Sequence, residues 1–137
     1  MGMLRVSLAN QIGEIRRVNA ALADLLEEEG VPERTIHHVR LVVEELVSNI
    51  VRHAFDDQDA HRIDVDVRTE PRRVVVTVED DGREFDPNAA PEPRILETLQ
   101  RRGGLGIHMV KKLTSDLNYS RTSDRNRVRA TIDFASK

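Results

Sequence analysis

The chain has 137 residues, of which 39% are hydrophobic and 33% charged, and its 21 Lys and Arg against 24 Asp and Glu give a net charge of −3. That length and balance fit a single globular domain, residues 1–137, with one sizeable core. The slight acidic excess leaves no surplus of basic side chains to neutralise a phosphate backbone, which argues against nucleic acid as the main partner.

The stretch LRVSL alternates, with Leu4, Val6 and Leu8 on one face, and predicts a short strand. Asn10 is placed to cap a helix in which Ile12, Ile15, Val18, Leu22 and Leu25 recur at helical spacing, and Gly30 suits its C-terminal end. Pro32 opens a second helix that runs to about Ala54. RIDVDVR alternates through Ile63, Val65 and Val67, and RVVVTVED follows after the turn-like TEPR, which predicts an antiparallel pair. DDGREFDPNAAPEP is loop, ILETLQRR a short helix and GGLGIHMVKKLTS a further helix. LNYSR and VRATIDF read as a last hairpin around SDRN. The order is β-α-α-β-β-loop-α-β-β, and most strands carry one apolar face. The expected fold is an α/β two-layer sandwich, a mixed but mostly antiparallel sheet covered by helices on one face.

With no cysteine, disulfides and thiolate zinc sites are excluded. No apolar run approaches the roughly 18 residues of a membrane helix, and MGMLRVSLAN lacks a signal-peptide core, so the expected location is the cytoplasm.

Three places carry chemistry-bearing residues. On the second helix, Val39, Val43, Leu46, Ile50 and Ala54 form an apolar stripe, whereas Glu45 and Asn49, four apart, share another flank near Arg52 and His53. A carboxylate and an amide one turn apart can serve as a base and as an oxygen ligand for a hard cation such as Mg²⁺, or can simply form a solvated flank. Glu44 points elsewhere. In RVVVTVEDDG, Asp80 continues the inward phase of Val74, Val76 and Val78, so a carboxylate ends the strand on the core side and needs a partner, such as the amino group of an adenine. Gly82 then lets the backbone turn closely around a ligand, although an ordinary strand-closing turn uses the same residues. Finally, Gly103, Gly104 and Gly106 crowd a helix start, where uncovered N–H groups and the positive end of the helix dipole suit a phosphate. Gly103 and Gly104 also suit a plain turn, but Gly106 lies inside the helix and is not explained that way.

In this order, the three stretches resemble one family. ELVSNIVRHAF resembles the N box of GHKL-type ATPases, with Glu45-x-x-x-Asn49 and the trailing His53-Ala54-Phe55. VEDDGREFDP is similar to the G1 box, with Asp80-x-Gly82, and GGLGIHMV to the G2 box. The short chain and the wording NIVRHAF and DDGREFDP resemble the anti-sigma factor serine/threonine kinases of bacterial partner-switching systems. The resemblance implies Glu45 as general base, Asn49 as Mg²⁺ ligand, and Asp80 as acceptor for the adenine amino group, with Gly82 beside the base. Gly103, Gly104, Leu105 and Gly106 would shape the lid and phosphate cradle of ATP. It further implies a STAS-domain anti-sigma factor antagonist as substrate, a sigma factor as second partner, and leaves a homodimer open.

Two positions depart from the family pattern. Glu84 stands where the second glycine of the usual D-x-G-x-G would be, and Thr131 is out of phase with Val128, Ala130 and Ile132, so the family's C-terminal threonine has no clear counterpart. A non-catalytic regulator that uses ATP only to shape its partner surface is the alternative reading. The ATP-binding half of a histidine kinase is a third, disfavoured because the chain leaves no room for a helical dimerisation domain.

Overall fold

Period-two alternation and period-3.6 recurrence sort the chain into two layers. The computed structural model describes residues 2–9, 11–53, 61–84, 86–87 and 104–135. They form β1 (Met3–Ala9), α1 (Glu14–Glu28), α2 (Glu33–His53), β2 (Arg62–Glu70), β3 (Arg73–Asp80), α3 (Gly104–Leu113), β4 (Asp116–Thr122) and β5 (Arg125–Asp133). The expected short helix at 95–102 lies outside the described residues.

The five strands make one sheet in the order β1-β2-β3-β5-β4. All four pairings are antiparallel, so the expected mixed sheet is corrected. The reason is the connections. β2–β3 and β4–β5 are hairpins, and two helices between β1 and β2 send the chain back and forth once more, so that β2 returns against β1. Leu8, Ile63, Val65, Val67, Val74, Val76, Val78, Val128, Ala130 and Ile132 form the buried inner face. Against it lies α2, whose Ile36, Val39, Val42, Val43, Leu46, Val47 and Ile50 are buried. This stripe is wider than a surface helix needs, because α2 meets α1, α3 and the sheet together. On the outer face, arginines and acids alternate in exposed pairs such as Arg5–Asp66 at 2.8 Å and Arg125–Asp64 at 2.9 Å. Such pairs contribute about 0–1 kcal/mol each.

α1 begins later than the sequence suggests. Its N-cap is Gly13, without a side-chain cap, and Asn10 lies outside the described residues. The carbonyls of Gln11 and Ile12 take the first N–H groups, of Glu14 and Ile15, at 3.1 Å each. Ile12 is thereby left exposed, and the buried register is Ile15, Val18, Leu22 and Leu26, with Leu25 only partly covered. The C-terminus is as expected. Gly30 has φ +73°, its N–H donates to Glu27 O, and Val31 N–H donates to Leu26 O at 3.0 Å. Val31 and Leu26 are both buried, which completes a Schellman cap. Gly30→Ala should destabilise the fold by about 1–2 kcal/mol, since a Cβ disfavours left-handed backbone. Urea unfolding would show this as a lower midpoint at unchanged slope.

The last hairpin turns on Ser123 and Asp124 alone, both with positive φ, 52° and 61°. That is a two-residue turn matching the strand twist. β5 therefore starts at Arg125, and Asn126 enters the ladder directly opposite Asp80.

Candidate active site

α2 supplies the first part of the site. Glu44 is exposed, Glu45 half-buried and Asn49 buried, so the two adjacent acids differ as the helical phase predicts. Asn49 donates Nδ2–H to the carbonyl of Glu45 at 2.8 Å. This anchors the amide along the helix and leaves Oδ1 without a partner among the described residues. Burial, and then the neighbouring Glu44, raise the Glu45 carboxyl above its ordinary pKa, against the opposing charge of Arg52. The side chain of His53 is not among the described groups.

β3 supplies the second part. Asp80 is buried at the strand end, and its Oδ1 accepts from Gly82 N–H at 2.8 Å and from Asn126 Nδ2–H at 3.0 Å. The first bond closes the Asp80–Gly82 turn upon itself. Burial pushes the Asp80 carboxyl up. The bonds from Asn126 and Gly82 oppose this, Asp81 adds to it, and Arg125 lowers it slightly. Among the described residues nothing bonds Oδ2. Glu84 is exposed, on the solvent side of this turn.

Asn49 and Asp80 come together in one narrow pocket, walled by Leu46, Ile50, Pro87, Ile107 and Val128. Residues far apart in the sequence, from the second helix, the strand end and the glycine-led helix, thus face a shared space. It combines apolar walls with two polar groups that each have one oxygen unbonded among the described residues.

A Cβ at Gly106 would overlap the carboxylate of Glu45, so the absence of a side chain there leaves room for Glu45 against the first turn of α3. Gly103 lies outside the described residues. Gly104 starts α3. His61 precedes β2 and lies 3.2 Å from Asp81 through Nδ1. Among the described residues there is no group of three His, Cys, Asp or Glu able to hold a metal ion. A cation in this pocket would take Asn49 Oδ1 and complete its shell from ligand phosphates and water, as Mg²⁺ commonly does.

Sequence reasoning missed Asn126. Its Nδ2–H also reaches Arg83 O at 2.7 Å and Gly82 O at 3.3 Å, and its Oδ1 accepts from Tyr119 OH and from Arg121 at 2.9 Å. The signal was present: Asn126 is in phase with Val128, Ala130 and Ile132, a polar residue on an apolar face. Placing it in the turn hid that phase.

The fold is that of an ATPase domain of the GHKL type. Over residues 8–132 the sequence matches the histidine kinase-like ATPase domain, and the chain belongs to that family. It is 29% identical over 97 residues to the serine/threonine-protein kinase BtrW of Bordetella bronchiseptica, covering 69% of this chain and 68% of BtrW. It is 26% identical over 103 residues to the serine-protein kinase RsbW of Listeria monocytogenes, covering 71% of this chain and 66% of RsbW. The chain is thus a homologue of protein serine/threonine kinases and spans about two thirds of their length. A chain in the SiaB–SiaC complex of Pseudomonas aeruginosa shares the fold, with TM-score 0.68 and 21% identity over 94% of this chain and 88% of that one. No helix among the described residues is long and apolar enough to cross a membrane.

Proposed function

We propose that residues 1–137 form one ATPase domain that phosphorylates a serine or threonine of a STAS-domain anti-sigma factor antagonist, and that it sequesters a sigma factor while no antagonist is free. The observation that carries this reading is the convergence of Asn49 and Asp80 in one pocket, next to the helix turn that houses Glu45. The named kinases among its relatives support the reaction type.

In this reading ATP with Mg²⁺ supplies an activated phosphoryl group. Asp80 Oδ2 accepts from the adenine amino group, with Gly82 beside it, and Leu46, Ile50 and Val128 cover the apolar base. Asn49 Oδ1 ligates the cation. The backbone around Gly103, Gly104, Leu105 and Gly106 offers N–H donors and the positive helix end to the phosphates. Glu45 accepts the proton of the attacking hydroxyl, and its raised pKa makes it a stronger base than an ordinary carboxylate.

Labelled ATP, the purified chain and STAS-domain proteins of the same genome test the assignment. The expected result is label on serine or threonine, lost in Glu45→Ala. ATP binding without label on any STAS protein would instead support the non-catalytic regulator. The adenine contact has its own test. In Asp80→Asn the amide oxygen stays with its two donors, Gly82 N–H and Asn126 Nδ2–H, so the NH₂ group is turned into the pocket. It would then meet the adenine amino group donor to donor. Affinity for ATP should fall about 10–100-fold, the worth of a hydrogen bond to a charged group, in a folded protein. Unchanged affinity by calorimetry would remove Asp80 from the adenine site.

A further inference from the structure

Asn126 is 2% exposed and bonded on both sides of its amide. Among the described residues its Nδ2 faces only acceptors, Asp80 Oδ1, Gly82 O and Arg83 O, and its Oδ1 only donors, Tyr119 OH and Arg121 Nη1. The flipped amide would set donor against donor on one side and acceptor against acceptor on the other, so the orientation is fixed by its surroundings. Arg121, on β4, also donates to Gly82 O at 3.0 Å. The edge hairpin therefore grips the Asp80–Arg83 turn from both strands, through the buried Asn126 amide on β5 and the Arg121 guanidinium on β4.

The grip has a directional consequence. A carboxylate with two free oxygens can rotate, and either oxygen can face the pocket. Here Gly82 N–H and Asn126 Nδ2–H both hold Oδ1. Two donors on one oxygen define the carboxylate plane and leave the other oxygen to the pocket as a pure acceptor. Gly82 N–H alone is a neighbour in the same turn and moves with it. Asn126 comes from another strand, in register across the ladder, and gives the turn a fixed reference.

We propose that Asn126, itself held by Tyr119 and Arg121, is a positioning residue that sets base selectivity by presenting Asp80 Oδ2 to the amino group of a 6-aminopurine. This rests on the adenine assignment of Asp80 made above. Asn126 touches no base itself; its effect passes through Asp80. Charged groups around that carboxylate (Asp81 and Arg125) set its field but do not bond it.

The consequence is selective. Loss of the Asn126 donor weakens ATP, which has the 6-amino group, and spares purine riboside triphosphate, which lacks it. A structural role for Asn126 would weaken both nucleotides alike.

The test uses the full chain and calorimetry with both nucleotides. Asn126→Leu removes the donor at similar volume, and Asn126→Ser restores one hydroxyl donor. The ATP preference over purine riboside triphosphate should shrink about tenfold in Asn126→Leu and recover in part in Asn126→Ser. In an Asp80→Ala background, Asn126→Leu should change the preference no further, because the two residues act as one unit. If Asn126→Leu does not fold, Asn126→Ala against Asn126→Ser makes the same comparison between two small residues that differ by one hydroxyl. Equal loss of both nucleotides, or additive effects with Asp80→Ala, would overturn the role of Asn126 and leave Asp80 in place. A preference already unaffected by Asp80→Ala would overturn the adenine assignment and this inference with it.

Discussion

Glu45→Ala should lower phosphotransfer to a STAS substrate by about 10²- to 10⁴-fold, the usual cost of losing a positioned base, while ATP still binds. Glu44→Ala should leave both unchanged, because Glu44 is exposed on another face of α2. An inactive Glu44→Ala beside an active Glu45→Ala would reject the assignment. The same carboxylate carries a stability signature. Burial, then Glu44, raise its folded pKa above the unfolded value, with Arg52 opposing. For an acid so shifted, ionisation disfavours the fold. The penalty is absent below the unfolded pKa, grows as pH rises from there to the raised folded value, and is fully present above it. Glu45→Gln should therefore melt higher than the wild type at neutral pH, with the gap closing as pH falls through the carboxylate range. Thermal unfolding followed by circular dichroism at several pH values would show it. A variant that is inactive and more stable is what a residue held in place for reaction, against its solvation, should give.

The phases of side chains made most of this architecture readable before any coordinates. Strict alternation in RIDVDVR and RVVVTVED defined the central hairpin, and it placed Asp80 on the buried side, where it lies. Helical phase separated Glu45 from Glu44 and set Asn49 on the same flank, one turn on. Two details differ from that reading. The carbonyls of Gln11 and Ile12 take the first N–H groups of α1, so the helix starts after Gly13, and Leu26 rather than Leu25 is fully buried. The partner of Asp80 depends on strand register, and register follows from turn length. Reading SDRN as the turn removed Asn126 from the sheet. A two-residue turn at Ser123 and Asp124 puts it back opposite Asp80. The buried acid needs a partner, and that its donors are Gly82 N–H and the Asn126 amide is visible only in the ladder.

Gly106 offers the sharpest contrast between what spacing suggests and what packing requires. A glycine inside a helix costs about 1 kcal/mol relative to alanine, so Gly106→Ala should stabilise α3 unless the methyl group meets something. It meets the carboxylate of Glu45. That group is the far end of a flexible side chain, and it can swing away at little energetic cost. The melting temperature of Gly106→Ala should therefore hold or rise, while phosphotransfer falls toward the level of Glu45→Ala, because the base no longer sits where the turn of α3 placed it. The double variant separates causes. With Glu45 already alanine, Gly106→Ala should cost no further activity and should raise the melting temperature over Glu45→Ala alone, since the overlap is gone and the helix gain remains. If the glycine instead serves to admit phosphate, the same methyl group would weaken ATP binding and leave the turnover of bound ATP intact. Affinity by calorimetry and single-turnover phosphotransfer, measured on the same variant, decide between a glycine that shapes the nucleotide cradle and one that seats the base.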